Sequence, residues 1–151
     1  MQVSFVAGFG PIVRDVATSR TFWGAGLGIA LQEADPAYWA TEALPGVKVF
    51  ALWPLSQAAE SCFGTAHWPE AIPAPQAWLE VDVESVAAVA AAAAELQAAG
   101  HRLLCGVREE PWGQTTTRLL SPEGLLVGVT YTPALHAPPP GAVAGPEEPG
   151  R

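Results

Sequence analysis

Residues 76–100 read QAWLEVDVESVAAVAAAAAELQAAG, and the side-chain pattern changes halfway along them. From Gln76 to Asp82 polar and apolar residues alternate. Ala77, Leu79 and Val81 share one side and Gln76, Trp78 and Glu80 the other, as in a half-buried strand. From Val83 to Ala99 alanine takes over, which favours helix. Gly100 then stands where a left-handed residue ends one. This apolar run falls short of the roughly 20 residues that a membrane span needs.

Working outward, the same order of elements appears twice. Downstream of Gly100, strands are predicted over Arg102–Val107, Gln114–Leu120 and Leu125–Tyr131, the last two joined by Ser-Pro-Glu-Gly. Upstream, Val3–Arg14 reads as a strand holding Gly8 and Gly10. Asp15–Gly26 reads as a helix, with Asp15 or Thr18 as cap and Phe22, Trp23 and Leu27 as apolar anchors. Weaker strands follow at Ile29–Glu33 and Tyr38–Glu42, then the clear strand VKVFALW over residues 47–53, stopped by Pro54. Laying Gly46 on Gly124 places Phe50 on Gly128. The halves agree in element order better than in sequence, so a duplicated βαβββ unit is the economical reading. The expected architecture is α+β, with two tandem βαβββ modules at about 3–54 and 76–133. A linker rich in Pro and Trp covers 55–75. Residues 134–151 hold five prolines and three glycines and little to bury, so they read as a flexible tail after a single domain at 1–133.

Composition narrows the function classes. The 151 residues make about one domain. Fifteen acidic against seven basic residues, with Lys48 the one lysine, give a net charge of −8. That balance argues against binding nucleic-acid phosphates, which takes clustered Lys and Arg. The N-terminus lacks a basic segment leading into a long apolar run, so neither a signal peptide nor a membrane anchor is expected, and a cytoplasmic location is the expectation. Cys62 and Cys105 make no disulfide framework and read as small buried hydrophobes in a reducing compartment. No P-loop, G-x-G-x-x-G or nucleophile constellation is present.

Two segments carry a resemblance. IVRDVATSRTFWGAGLG at 12–28 is similar to the V-x-D…S-x-x-F-[YW]…L-G signature of the glyoxalase, bleomycin-resistance and extradiol-dioxygenase proteins, the vicinal oxygen chelate superfamily. EPWGQTTTRLLSPEGLLVGVTYTP at 110–133 resembles their D-P-[DE]-G-x-x-[IV]-E turn and strand. The resemblance implies two modules whose curved sheets form an open cup. In the metal-dependent members it implies four ligands there, at the start of the first strand and on the last strand of each module. Carried over, those positions are Gly8, Phe50, Gln76 and Gly128. Zn, Ni, Mn and Fe sites are built from His, Cys, Asp and Glu. Only Gln76 offers an oxygen, so neither a metal nor another cofactor is expected, and the glyoxalase reaction and ring-cleaving oxygenation are disfavoured. His67, His101 and His136, the last in the tail, read as unpaired surface histidines.

Strand alternation assigns the cup. Gly8 shares its side with Gly10, Ile12 and Arg14, and Gln76 with Trp78 and Glu80. Phe50 goes with Lys48 and Leu52, and Gly128 with Leu126 and Thr130. The ligand-binding candidates are therefore Gly8, Ile12, Phe50, Leu52 and Gln76. Trp78, Glu80, Leu126 and Gly128 join them, with Trp112 on a loop. An apolar, concave site with few polar atoms suits a small molecule, although packing against a loop or a second subunit is the competing explanation. Glu109 and Glu110 read as solvated charges. The expected function is metal-free binding or sequestration of a small aromatic or amphipathic compound. In the bleomycin-binding members of the family an acidic aromatic groove takes a cationic antibiotic, and the −8 charge fits such a partner. The alternative is an enzyme of this superfamily (a lyase, isomerase or dioxygenase) with a displaced metal or with metal-free chemistry through Glu80, Arg14 or Gln76. A homodimer is expected, because Val6, Phe9, Trp23, Trp53 and Tyr131 exceed what one sheet obviously covers.

Overall fold

The computed structural model describes residues 1–137, of which 1–133 were expected to form the folded domain. Eight strands form one mixed sheet. They are β1 (Phe5–Val13), β2 (Gln32–Asp35), β3 (Tyr38–Thr41), β4 (Val49–Pro54), β5 (Ala77–Asp82), β6 (Leu103–Glu109), β7 (Thr115–Leu120) and β8 (Leu126–Tyr131). Their order is β2-β3-β4-β1-β5-β8-β7-β6. The first strands of the two halves meet antiparallel at the centre, with Gly8 opposite Glu80 and Gly10 opposite Trp78. Each runs parallel to the last strand of its own half, β1 beside β4 and β5 beside β8. This is the duplicated α+β architecture expected from the sequence.

Helices cover one face. α1 (Val16–Arg20) is capped by the Asp15 carboxylate accepting from Thr18 N, and it runs on into a π-helical turn at Thr21–Gly26. Val16 and Trp23 pack there on Val13, Phe50 and Leu52. α3 (Val86–Ala98) is capped by Ser85 and sets Val89 and Ala92 on Val83 and Val129. Between these helices Val6 and Phe9 stay about 40% exposed, 40% and 41% respectively. Trp53, expected in the same surplus, is buried.

The opposite face carries the main surprise. The segment expected to be a plain linker forms α2 (Leu55–Phe63), and Gly64 at φ 74° ends it. Leu55, Ala58 and Cys62 recur at helical spacing and pack on Ile12, Ala51, Trp53, Trp78 and Leu126. α2 therefore fills part of the concave face. β1 and β4 approach so closely beneath it that a Cβ on Gly10 would stand 1.9 Å from the Ala51 carbonyl oxygen. Only glycine fits there. The chain beyond β8 also differs from expectation. Pro133–His136 form a short helix, α4, against the sheet instead of starting a tail. The rest of the expected tail, residues 138–151, lies outside the described residues. Among the described residues no helix is long and apolar enough to cross a membrane.

Candidate functional site

What α2 leaves open is a cavity of about 470 Å³ over the β3, β5 and β7 side of the concave face. Tyr38, Trp53, Trp78 and Trp112 give it aromatic walls. Trp53 and Trp78 meet edge to face with ring centroids 5.8 Å apart. The Trp78 indole N–H donates to the Ala51 carbonyl at 3.2 Å, which fixes the ring across the floor. Trp112 is 60% exposed at the mouth.

At the polar end, Arg118 on β7 is buried, its side chain 1% exposed, between two carboxylates. Its Nη2 donates to Glu80 Oε1 at 3.1 Å and its Nη1 to Glu110 Oε1 at 2.8 Å. Nη1 also donates to the Ser61 hydroxyl, which itself donates to Glu110 Oε1 at 2.6 Å. Gln114 completes the set, donating from Nε2 to Glu80 Oε2 at 2.9 Å and to Thr132 Oγ1 at 3.1 Å. The Gln114 side-chain oxygen accepts from the Trp112 indole at 3.0 Å. Burial works to lower the Arg118 pKa, but Glu80 and Glu110 outweigh it and hold the guanidinium charged. Arg118 Nε, also buried, has no partner among the described residues. Burial, reinforced by Glu80, pushes the Tyr38 hydroxyl pKa up, so it stays a neutral donor at ordinary pH.

Against the candidates from sequence, the cavity brings together Gly8, Trp78, Glu80 and Trp112. It does not include Ile12, Phe50, Leu52, Gln76, Leu126 or Gly128. Phe50 and Leu52 lie on the other face, under α1. The cause is register: Phe50 pairs with Phe9, on the helix-covered side of β1, whereas Gly128 pairs with Glu80 on the cup side, so laying Gly46 on Gly124 matched residues that face opposite ways. A one-residue slip reverses the face of every side chain on a strand. Ile12 and Leu126 do face the cup, but the α2 cluster covers them. Gln76 is exposed and lies just before β5, where its carbonyl accepts from Ile12 N at 2.9 Å. Arg14 is exposed as well. Two of the candidate glycines are closely covered. A Cβ on Gly8 would lie 2.4 Å from the Trp78 ring, and one on Gly128 would lie 2.9 Å from Glu80 Cγ.

Four members of the polar cluster, Arg118, Ser61, Glu110 and Gln114, were not anticipated. Arg118 and Ser61 drew no attention in the sequence. Glu110, expected to be a solvated charge, is 4% exposed. The turn from Glu110 to Gln114 folds it inward, with Glu110 N donating to Gln114 O at 2.7 Å and Gly113 at φ 85°. His136 also departs from expectation. Its Nε2 lies 2.5 Å from Asp82 Oδ1, and its ring sits between Phe5 and Tyr131. The two α4 residues before it, Ala134 and Leu135, border the cavity.

Do these residues fit a divalent metal? Two of the four positions implied by resemblance have no side chain, one is an apolar ring on the far face, and one is an exposed amide. No group of three or more His, Cys, Asp or Glu side chains poised for a metal occurs among the described residues. The two carboxylates that do converge have the Arg118 guanidinium between them. This donor set does not fit such an ion.

Neither a protein-family description nor a curated protein matches the chain. Solved structures do. A glyoxalase/bleomycin resistance protein/dioxygenase superfamily member from Vibrio splendidus 12B01 is 15% identical over 87% of this chain and 100% of its own, with a TM-score of 0.56. A methylmalonyl-CoA epimerase from Streptomyces coelicolor, solved with 2-nitronate-propionyl-CoA, is 15% identical over 91% of this chain and 100% of its own, at 0.54. A structure from Legionella pneumophila described as an NAD-dependent benzaldehyde dehydrogenase is 16% identical over 82% of this chain and 96% of its own, at 0.57.

Proposed function

The chain has the glyoxalase/bleomycin-resistance/dioxygenase fold, and we propose that its cup binds a planar, cationic small molecule without a metal. The differing names of the structural neighbours show that the fold does not select an activity, so the argument rests on the site. One observation carries it: among the described residues, the one cationic side chain lining the cavity, Arg118, is already engaged by carboxylates. Asp35, Glu42 and Glu80 also line it, giving three carboxylates against that one guanidinium, beside four aromatic rings. Aromatic faces and negative charge together attract a flat cation. The protein would sequester such a compound, with antibiotic-like cations among the natural candidates.

An enzymatic reading has one observation in its favour, the largely buried Glu80 carboxylate at the cavity wall. Both its oxygens already accept hydrogen bonds, from Arg118 and Gln114. It is better placed to offer fixed negative charge than to take a proton. Tryptophan fluorescence titrated with the flat cation ethidium and the anion fluorescein tests the proposal. Saturable quenching by ethidium that weakens at least about tenfold in Glu80→Gln, equivalent to roughly 1.4 kcal/mol, is expected. Quenching by fluorescein alone would overturn it.

A further inference from the structure

The two cysteines lie 43 positions apart in sequence, yet the fold brings them together. Cys62 is on the last turn of α2 and is buried, while Cys105 is half-buried on β6, against which α2 packs. Arg118, beside Cys105 on the neighbouring strand, reaches the hydroxyl of Ser61 next to Cys62, so both cysteines belong to one neighbourhood, and each perturbs the other's titration. The backbone at Cys105 is anchored, because Thr117 Oγ1 donates to its carbonyl at 2.8 Å. In register Cys105 stands opposite Arg118. Two neighbouring thiols, one of them half-buried, have the arrangement of an oxidisable pair.

We propose that Cys62 and Cys105 are a redox site, closed by a hydroperoxide into a reversible disulfide that staples α2 to β6. The groups around the pair favour the chemistry. The neighbouring Cys62 pushes the Cys105 thiol down to about 6, against burial, with Arg118 and Arg108 adding to the effect. Cys105, and burial after it, push the Cys62 thiol up, so at neutral pH the proton sits on Cys62. Cys105 is thus the thiolate that attacks, and it is the more exposed of the two.

The Cys105 thiolate displaces hydroxide from hydrogen peroxide and becomes a sulfenic acid. With the Cys105 thiolate consumed, Cys62 can release its proton. The Cys62 sulfur attacks that of Cys105, expelling a second hydroxide as the S–S bond forms. In sum two thiols and one peroxide give one disulfide and two waters, and two electrons pass from sulfur to oxygen. A dithiol reverses the step. The consequence reaches the cavity, because the neighbouring residue is Ser61. Its hydroxyl joins Glu110 to Arg118, and its carbonyl accepts from Arg108 at 2.7 Å. Drawing Cys62 toward β6 shifts that support.

The test uses the full chain with equimolar hydrogen peroxide, followed by iodoacetamide and intact mass. The expected result is loss of both alkylation sites in a monomeric chain, with both restored by dithiothreitol. In untreated protein at neutral pH, Cys105 should alkylate at least about tenfold faster than Cys62. Cys62→Ser should leave a sulfenic acid on Cys105 that dimedone traps, and Cys105→Ser should abolish rapid reaction with peroxide. Two alkylatable thiols surviving peroxide in the wild type, or disulfides found only between chains, would overturn the proposal.

Discussion

Replacing Arg118 by methionine keeps most of the side-chain volume and removes the cation that lies between Glu80 and Glu110. Those two side chains are only 12% and 2% exposed, so water cannot take over its role. Removing one partner of a buried ion pair costs about 3–5 kcal/mol, and here one residue serves two carboxylates and a hydroxyl. At roughly 3 °C per kcal/mol for a chain of this length, the melting temperature should fall by about 10–15 °C. Typical stabilities of about 5–15 kcal/mol leave the variant folded at 25 °C. Urea melts at pH 7.5 supply the assay. Adding Glu80→Gln and Glu110→Gln to Arg118→Met should recover more than half of the loss. A cost below about 1 kcal/mol, the range of exposed pairs, would refute the reasoning, as would a triple variant no more stable than Arg118→Met.

Gly10→Ala should cost about 3 kcal/mol or more in urea melts, because the new methyl meets a backbone carbonyl that cannot move aside. Gly128→Ala meets the Glu80 side chain instead, so it should cost only about 1–3 kcal/mol while weakening ethidium quenching. His136→Ala leaves the fully buried Asp82 with the Thr132 N–H as its remaining hydrogen-bond donor. It should cost about 1–3 kcal/mol and speed amide exchange across α4. Val6 and Phe9 form the surface we propose to be covered in a homodimer. Light scattering should return twice the 15.7 kDa chain mass, and Phe9→Lys should lower it to one.

The fold was legible because alternation on β5, alanine content on α3 and the capping residue Asp15 are local signals. Facing was legible on β1, β5 and β8 and misread on β4. There Phe50 was matched to Gly128, but Phe50 pairs with Phe9 and Gly128 with Glu80, on opposite faces, and a sequence match cannot see that. α2 did leave a trace, since Leu55, Ala58, Ala59 and Cys62 keep helical spacing between Pro54 and Gly64, but the surrounding Pro and Trp drew the eye to a linker. The Arg118 cluster left almost none. Gln114, Thr116 and Arg118 alternate as a solvated strand face would. Their partners Ser61 and Glu80 arrive from 57 and 38 positions away. Polar residues on a strand reveal that they are buried only when the opposing elements are known.

Titrating the protein with ethidium by calorimetry, once in a chelator and once with Zn, Mn or Ni in excess, tests the central claim most directly. The account predicts one site per chain with the same affinity in every condition, because Arg118 holds the carboxylates a metal would need. Binding that appears only with a metal, or no binding of the cation in any condition, would contradict it.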